Sequence, residues 1–412
     1  MNERPLSDVK VLDLTRLLPG GFCSLLLADF GADVVKVEDT GMGDYVRWAP
    51  PYYGAEEQQE LGTRSALYLA LNRGKRSIRL DLKSEGGREA FLRLAGEFDV
   101  VLESFRPGVL EKLGCGHEAL REANPRIVYC AITGYGQTGP NTARAGHDMN
   151  YLGLNGLLGL TGEPGTRPVQ SAGQIADLGG GALMAAFGVM AALRERERSG
   201  EGQLVDVSMT DGSLAWLSMV AAQYLCDGLV PRRGRGALNG GLACYLPYEA
   251  ADGYVTCGAL EPKFWRNFCE GVERPDLIDK QFVSPDSDEW RPIAEIFRSR
   301  TREEWRAFND EHDAMIEPVL DLDEALDSEL VREREMVIEM EQPDLGPVRL
   351  LGLPIKLSRT PGDAARPAPA LGEHTEQVLR EAGLGDEEIA SLLEARAAAG
   401  LNEAAEQGSF LA

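Results

Sequence analysis

The stretch "VKVLDLTRLLPGGFCSLLLADFGADVVKVE", from Val9 to Glu38, decides the fold. Its two ends are short runs rich in valine, a β-branched residue that strands favour. Between them "GGFCSLLLADFGA" carries helical apolar spacing. Together they read as one β-α-β unit. The alternation continues outward: "RSIRLDL", "DVVLESF" and "RIVYCAIT" read as further strands, and "GGREAFLRLAGEF" as a helix. Such alternation predicts an α/β fold with a largely parallel, doubly wound, Rossmann-like sheet.

From about Gly179 the pattern turns helical. "GGGALMAAFGVMAALRERERSG" is apolar nearly all round and ends at Gly200, and "VSMTDGSLAWLSMVAAQYL" reads as a second helix. Helices this apolar are buried in a core or an interface. "PRRGRGALNGG" (Pro231 to Gly241) is a basic, glycine-rich linker. It opens an α+β segment with a strand at "GYVTCGA" and helices at "KFWRNFCEGV" and "PIAEIFRSRTREEWRAFND". The expected division is a large domain over 1–230 and 345–412, and a linker with a smaller α+β domain over 231–344. A Pro-rich strap from Gly346 to Leu371 leads to a last helix, and is expected to dock on the first domain or on a partner chain.

The chain has 412 residues, 43% of them hydrophobic, enough for two cores. No apolar run reads as long enough to span a bilayer, and the N-terminus is charged where a secretory signal would be apolar, so a soluble, cytoplasmic protein without membrane insertion is expected. Seven cysteines without CxxC spacing suggest free, mostly buried thiols, with no disulfide and no metal site. A net charge of -24, with 8 Lys against 34 Arg, would repel nucleic acid. An anionic ligand must find a local basic pocket.

"GYGQTG" (Gly134 to Gly139) matches the dinucleotide pattern GxGxxG after a strand. A fingerprint needs its last glycine to open a helix; here Pro140 and polar "NTARAG" follow, which argues against NAD. His147 stands in Gly146-His147-Asp148, and for a lone histidine the ordinary role is a hydrogen-bonded turn residue. Asp177 precedes three glycines and the apolar helix. It reads as a helix N-cap, or as a carboxylate beside free amides that stabilise a ligand anion. Glu261, before Pro262, reads as a first-turn acid. Lys36, Arg73, Lys75, Arg76 and Arg106 fall at strand ends or adjacent loops, the edge where such sheets bind ligands, and could form a phosphate site.

In order along the chain, "VLDLTRLLPGGFCSLLLADFGADVVKVE", "LNRGKRSIRLDL", "ESFRPGVLEKLG", "ITGYGQTGP", "AGHDMNYLGLNG", "ADLGGG", "RSGEGQLVDVSMTDG", "GALEPKFW" and "LGEHTEQVL" resemble the family III CoA-transferase superfamily, and within it the α-methylacyl-CoA racemases. The resemblance implies that Asp177 is either the transferases' acyl-accepting nucleophile or one of the racemases' two acid/base residues. Gly146, His147, Asp148, Asn150 and Tyr151 match the racemase-like branch. There His147 is the second base and Glu261 orients its ring. The implied reaction is inversion of the α-carbon of 2-methylacyl-CoA thioesters through an enolate, with amides from Asp177 to Gly179 as candidate donors to its oxygen. CoA, part of the substrate rather than a separate cofactor, is expected to be held by Lys36, Arg73, Lys75, Arg106, Tyr151 and Gly179. An interlaced homodimer is implied. The competing functions are CoA transfer between carboxylic acids through Asp177, and non-catalytic acyl-CoA binding.

Overall fold

The computed structural model describes residues 4–54 and 64–401, and by internal contacts it divides into two units. The first comprises residues 1–155, 173–216 and 329–412. The second comprises 156–172 and 217–328, so the division falls at 217 and 328 where the sequence suggested 231 and 344. The difference arises inside "VSMTDGSLAWLSMVAAQYL". This run forms two helices, Met209–Ala215 and Ser218–Asp227, which lie on opposite sides of the division.

In the first unit, β1 (Lys10–Asp13), β2 (Asp33–Glu38), β3 (Arg76–Leu80), β4 (Val100–Glu103), β5 (Val128–Thr133) and β6 (Leu204–Ser208) form a parallel sheet in the order β3-β2-β1-β4-β5-β6. A short strand at Ala398–Ala399 adds antiparallel to β3. The α/β expectation holds. Leu12, Val35, Ile78, Val101 and Tyr129 bury one sheet face against helix Glu85–Ala95 and the C-terminal helices, through Phe91, Leu94, Val378 and Ile389. The strand order reverses between β1 and β4, which opens a crevice at the strands' carboxyl ends. The loops after β1, β4 and β5 surround it.

The Pro-rich strap docks within its own chain. Ala368 exchanges two hydrogen bonds with the Gln342 side chain, and Tyr68 Oη donates to the Pro369 carbonyl at 2.8 Å. Beneath the ligand edge lies a buried ionic layer. Arg47, fully buried, donates to both Glu38 carboxylate oxygens at 2.8 and 2.6 Å and lies 3.9 Å from the Tyr68 ring centroid.

Residues Ile175–Ser199 form one continuous helix of 25 residues with mean hydropathy 1.6 in its most apolar stretch, long and apolar enough by length and composition to cross a membrane. That corrects the expectation that no such run exists. A core helix of a globular protein meets the same test, and here Gly180, Gly181, Ala185 and Val189 are buried in the first unit.

The second unit has an antiparallel sheet of Tyr245–Ala250, Gly253–Gly258 and Ile316–Pro318. Its core is aromatic: Phe268 and Phe297 stack at 5.0 Å, and Trp305 and Phe308 meet edge to face at 5.2 Å. Of the seven free cysteines six are buried and Cys226 is exposed. Among the described residues no group of His, Cys, Asp and Glu is arranged to hold a metal ion.

Candidate active site

A cleft of about 770 Å³ occupies the crevice of the first unit. Arg16 to Pro19 line it from the β1 loop, Ser104 to Pro107 from the β4 loop, and Gly134, Tyr135 and the segment Thr142 to Tyr151 from beyond β5. Gln174 and Asp177 complete the wall. His147 and Asp177, thirty residues apart in sequence, thus face one cavity.

The link between them is Asp148. His147 is the N-cap of helix Asp148–Leu154, and its own N–H donates to the Asn150 side chain at 3.0 Å. Asp148, the next residue, is buried, and its Oδ1 accepts from the backbone N–H of Ala176 (2.6 Å) and of Asp177 (3.1 Å). One carboxylate therefore ties the helix carrying the histidine to the turn carrying the aspartate. It also takes the capping role that the sequence suggested for Asp177: the helix begins at Ile175, and Asp177 lies inside its first turn.

That first segment, Ile175–Leu183, is π-helical, a wide coil that is rare and recurs at functional sites. Its glycines serve packing. A Cβ on Gly180 would lie 2.7 Å from both Met209 O and Ser213 N, and one on Gly179 would strike the Trp216 ring. Gly179 is buried and does not line the cleft. Two of the three amides expected to meet a ligand anion are engaged, that of Asp177 by Asp148 and that of Leu178 by the Gln174 carbonyl at 2.9 Å.

Burial pushes the Asp177 carboxyl up to about 7, and the negative charge of Asp148 adds to the shift. No side chain among the described residues donates a hydrogen bond to it. A carboxyl so placed holds or releases a proton near neutrality.

The expected basic set divides. Arg106 is exposed on the cleft wall, where the strand order reverses. Lys36, Arg73 and Lys75 face inward and are paired: Lys36 with Asp44 at 2.8 Å, Arg73 with Asp29 at 2.7 Å, Lys75 with Asp13 at 3.2 Å, all essentially buried. Their charge is spent on the fold rather than offered to the cleft. Arg73→Ala, which leaves Asp29 buried without its partner, is expected to destabilise the protein by about 3–5 kcal/mol. Denaturant unfolding would measure this, with substrate KM unchanged in whatever enzyme remains folded.

Tyr151 lines the cleft but is largely buried. Its hydroxyl donates to Gly146 O, and its ring occupies the space that side chains at Gly134 and Gly146 would need. This explains two glycines around the GxGxxG-like run: they make room for a tyrosine. Glu261 belongs to the second unit, exposed at the N-cap of helix Pro262–Gly271 with no side-chain capping bond. Sequence reasoning passed over Arg16 and Arg144. Arg16 pairs with Asp39 at 2.9 Å and lies 5.8 Å from the Phe105 ring centroid. The available signal for Arg144 was an arginine in the small-residue loop just before the histidine.

A sequence model described as CoA-transferase family III matches residues 6–375. The α-methylacyl-CoA racemase of Mus musculus is 39% identical, the alignment covering 94% of this chain and 96% of that protein. The succinyl-CoA:mesaconate CoA-transferase of Haloarcula hispanica is 38% identical over 92% of this chain and 97% of its own length. Among solved structures, a CAIB/BAIF family protein from Brucella suis superimposes with a TM-score of 0.80 at 31% identity, covering 92% of this chain and all of that one.

Proposed function

This chain belongs to CoA-transferase family III, and we propose that within it the chain acts as a racemase, inverting the α-carbon of 2-methylacyl-CoA thioesters with His147 and Asp177 as the two bases. Inversion takes the α-proton from one face of the carbon and returns one to the other, so two groups must exchange the roles of acid and base. The observation that carries the reading is Asp177: a cleft carboxyl raised to about 7, coupled through Asp148 to the helix of the histidine. Such a group serves in both protonation states.

Arg106, at the strand reversal, receives the CoA phosphates. With the Asp177 and Leu178 amides engaged elsewhere, the carboxamides of Gln174 and Asn150 on the cleft wall are the donors for the enolate oxygen. A homodimer accounts for the apolar face that helix Ile175–Ser199 leaves in solvent, where Phe187 is 75% exposed beside Leu183 and Met190.

The second reading, CoA transfer through an acyl anhydride on Asp177, is favoured by a transferase at 38% identity, beside 39% for the racemase. The two differ in their pH profiles. A racemising pair must hold one proton between its members, so kcat/KM falls on both sides of an optimum, with one limb near pH 7 rather than near 4. Both epimers share that profile, because their equilibrium does not depend on pH. A nucleophilic Asp177 needs only its carboxylate, so transferase activity would rise through about pH 7 to a plateau. Hydroxylamine gives a second test. With thioester present it should leave Asp177 unmodified, whereas a hydroxamate on that residue, found by peptide mass, would overturn the proposal in favour of transfer.

A further inference from the structure

The buried acids of the first unit divide in two. Asp13, Asp29, Glu38 and Asp44 each contact a lysine or an arginine. Asp148 and Glu103 are as deeply buried, at 2% and 3% exposure, and neither pairs with a cation among the described residues. Burying a carboxylate without a cation is costly, and the hydrogen bonds it accepts are what offset that cost. Asp148 accepts from the amides of Ala176 and Asp177. Glu103 does the same for a different wall of the cleft.

Glu103 is the last residue of β4. Its Oε2 accepts from the Phe105 N–H at 2.7 Å, which turns the chain at the strand end, and its Oε1 accepts from Tyr129 Oη of β5 at 3.2 Å, which fixes the carboxylate. Burial pushes this carboxyl up to about 7 against those two bonds, and the charge of Glu111 adds to the shift. The residues that follow all line the cleft. Ser104 Oγ accepts from the Arg16 N–H at 3.2 Å, and the Phe105 ring centroid lies 5.8 Å from the Arg16 guanidinium. Arg106 is exposed on the wall, and among the described residues no carboxylate pairs with it.

We infer that Glu103 is a positioning residue for CoA binding: it sets the turn that presents Arg106 to the cleft, and it acts on the substrate only through that turn. The inference rests on the reading that Arg106 receives the CoA phosphates. A guanidinium meets a phosphate through a planar fork, so a loop already held in place spares the cost of ordering it on binding. A carboxylate suits the task because its bond to an amide is charge-assisted and stronger than a neutral one. The two unpaired acids then divide the cleft between them. Asp148 holds the segment of the bases, so losing Glu103 should change affinity and leave turnover.

The test measures Kd for free CoA by calorimetry, and kcat for α-proton exchange in D2O at saturating 2-methylacyl-CoA. It compares the wild-type protein with Glu103→Leu, Glu103→Gln, Arg106→Ala and the double variant Glu103→Leu/Arg106→Ala. Leucine fills the space and accepts no hydrogen bond, whereas glutamine keeps an acceptor. Glu103→Leu should weaken CoA about tenfold or more, and Glu103→Gln should stay within about threefold of wild type, with kcat within about twofold in both. On top of Arg106→Ala, Glu103→Leu should add less than about twofold. Should Glu103→Leu fail to fold, Tyr129→Phe takes its place, freeing one carboxylate oxygen for an expected weakening of about threefold with the same dependence on Arg106. Unchanged affinity in the folded variant beside a weakened Arg106→Ala would overturn the inference alone, as would a loss of equal size with and without Arg106, or a kcat that fell with affinity. An Arg106→Ala variant that kept its CoA affinity would bring down the phosphate reading of Arg106 and this inference with it.

Discussion

Asp177→Asn should reduce α-proton exchange and epimer inversion by about 10²- to 10⁴-fold, the contribution typical of a positioned acid or base. The substitution is nearly isosteric and keeps the backbone N–H that Asp148 holds at 3.1 Å, so the turn stays in place. It removes the proton that the carboxyl takes and gives near pH 7. His147→Ala should cost as much by the same logic, from the other face. Parallel measurements of thioester affinity should show little change in either variant, since neither residue is assigned to the CoA phosphates. A variant that lost affinity and rate together would point to a collapsed cleft instead of a missing base.

The second large effect lies in packing. Gly180→Ala would place a methyl group 2.7 Å from both Met209 O and Ser213 N, and these backbone atoms of the next helix cannot rotate away. The reverse change, Gly212→Ala, would drive its methyl onto the Gly180 carbonyl oxygen. Each is expected to destabilise the protein by about 3 kcal/mol or more, at or beyond the upper end of ordinary overpacking. Each should also lower turnover in the surviving enzyme, because Asp177 rides on the same π-helical segment. The measurement pairs a denaturation midpoint with kcat at a temperature where the variant is folded. Unchanged stability in both variants would show that the two helices can part cheaply.

Much of the sheet was legible in the chain. Short runs carrying valine or isoleucine mark β1 to β5, and the ligand edge follows from the alternation with helices. The basic residues show where that legibility stops. Lys36, Arg73, Lys75 and Arg106 look alike in sequence, each at a strand end. Their fates differ because Asp44, Asp29 and Asp13 meet the first three inside the fold, while among the described residues no carboxylate pairs with Arg106. Pairings of that kind span 8 to 62 positions and carry no local signal.

Asp177 and its glycines teach a related lesson. An aspartate before Gly-Gly-Gly reads as a cap beside an open backbone, as helix chemistry suggests. In the structure the cap comes from Asp148, and the glycines are filled by Met209, Ser213 and Trp216. Both readings satisfy local rules, and only the tertiary contacts choose between them. The pair of His147 with Asp177 was reached by resemblance; the structure adds the carboxylate that joins them.

The most direct test of two-base racemisation is to incubate a single epimer of a 2-methylacyl-CoA with the protein in D2O and follow α-deuterium content and epimer ratio together. The account predicts that deuterium enters the product epimer from the first turnovers while the ratio moves toward equality, and that both changes stop in His147→Ala and in Asp177→Asn. Intact protein that binds the thioester yet leaves its α-proton in place would contradict it.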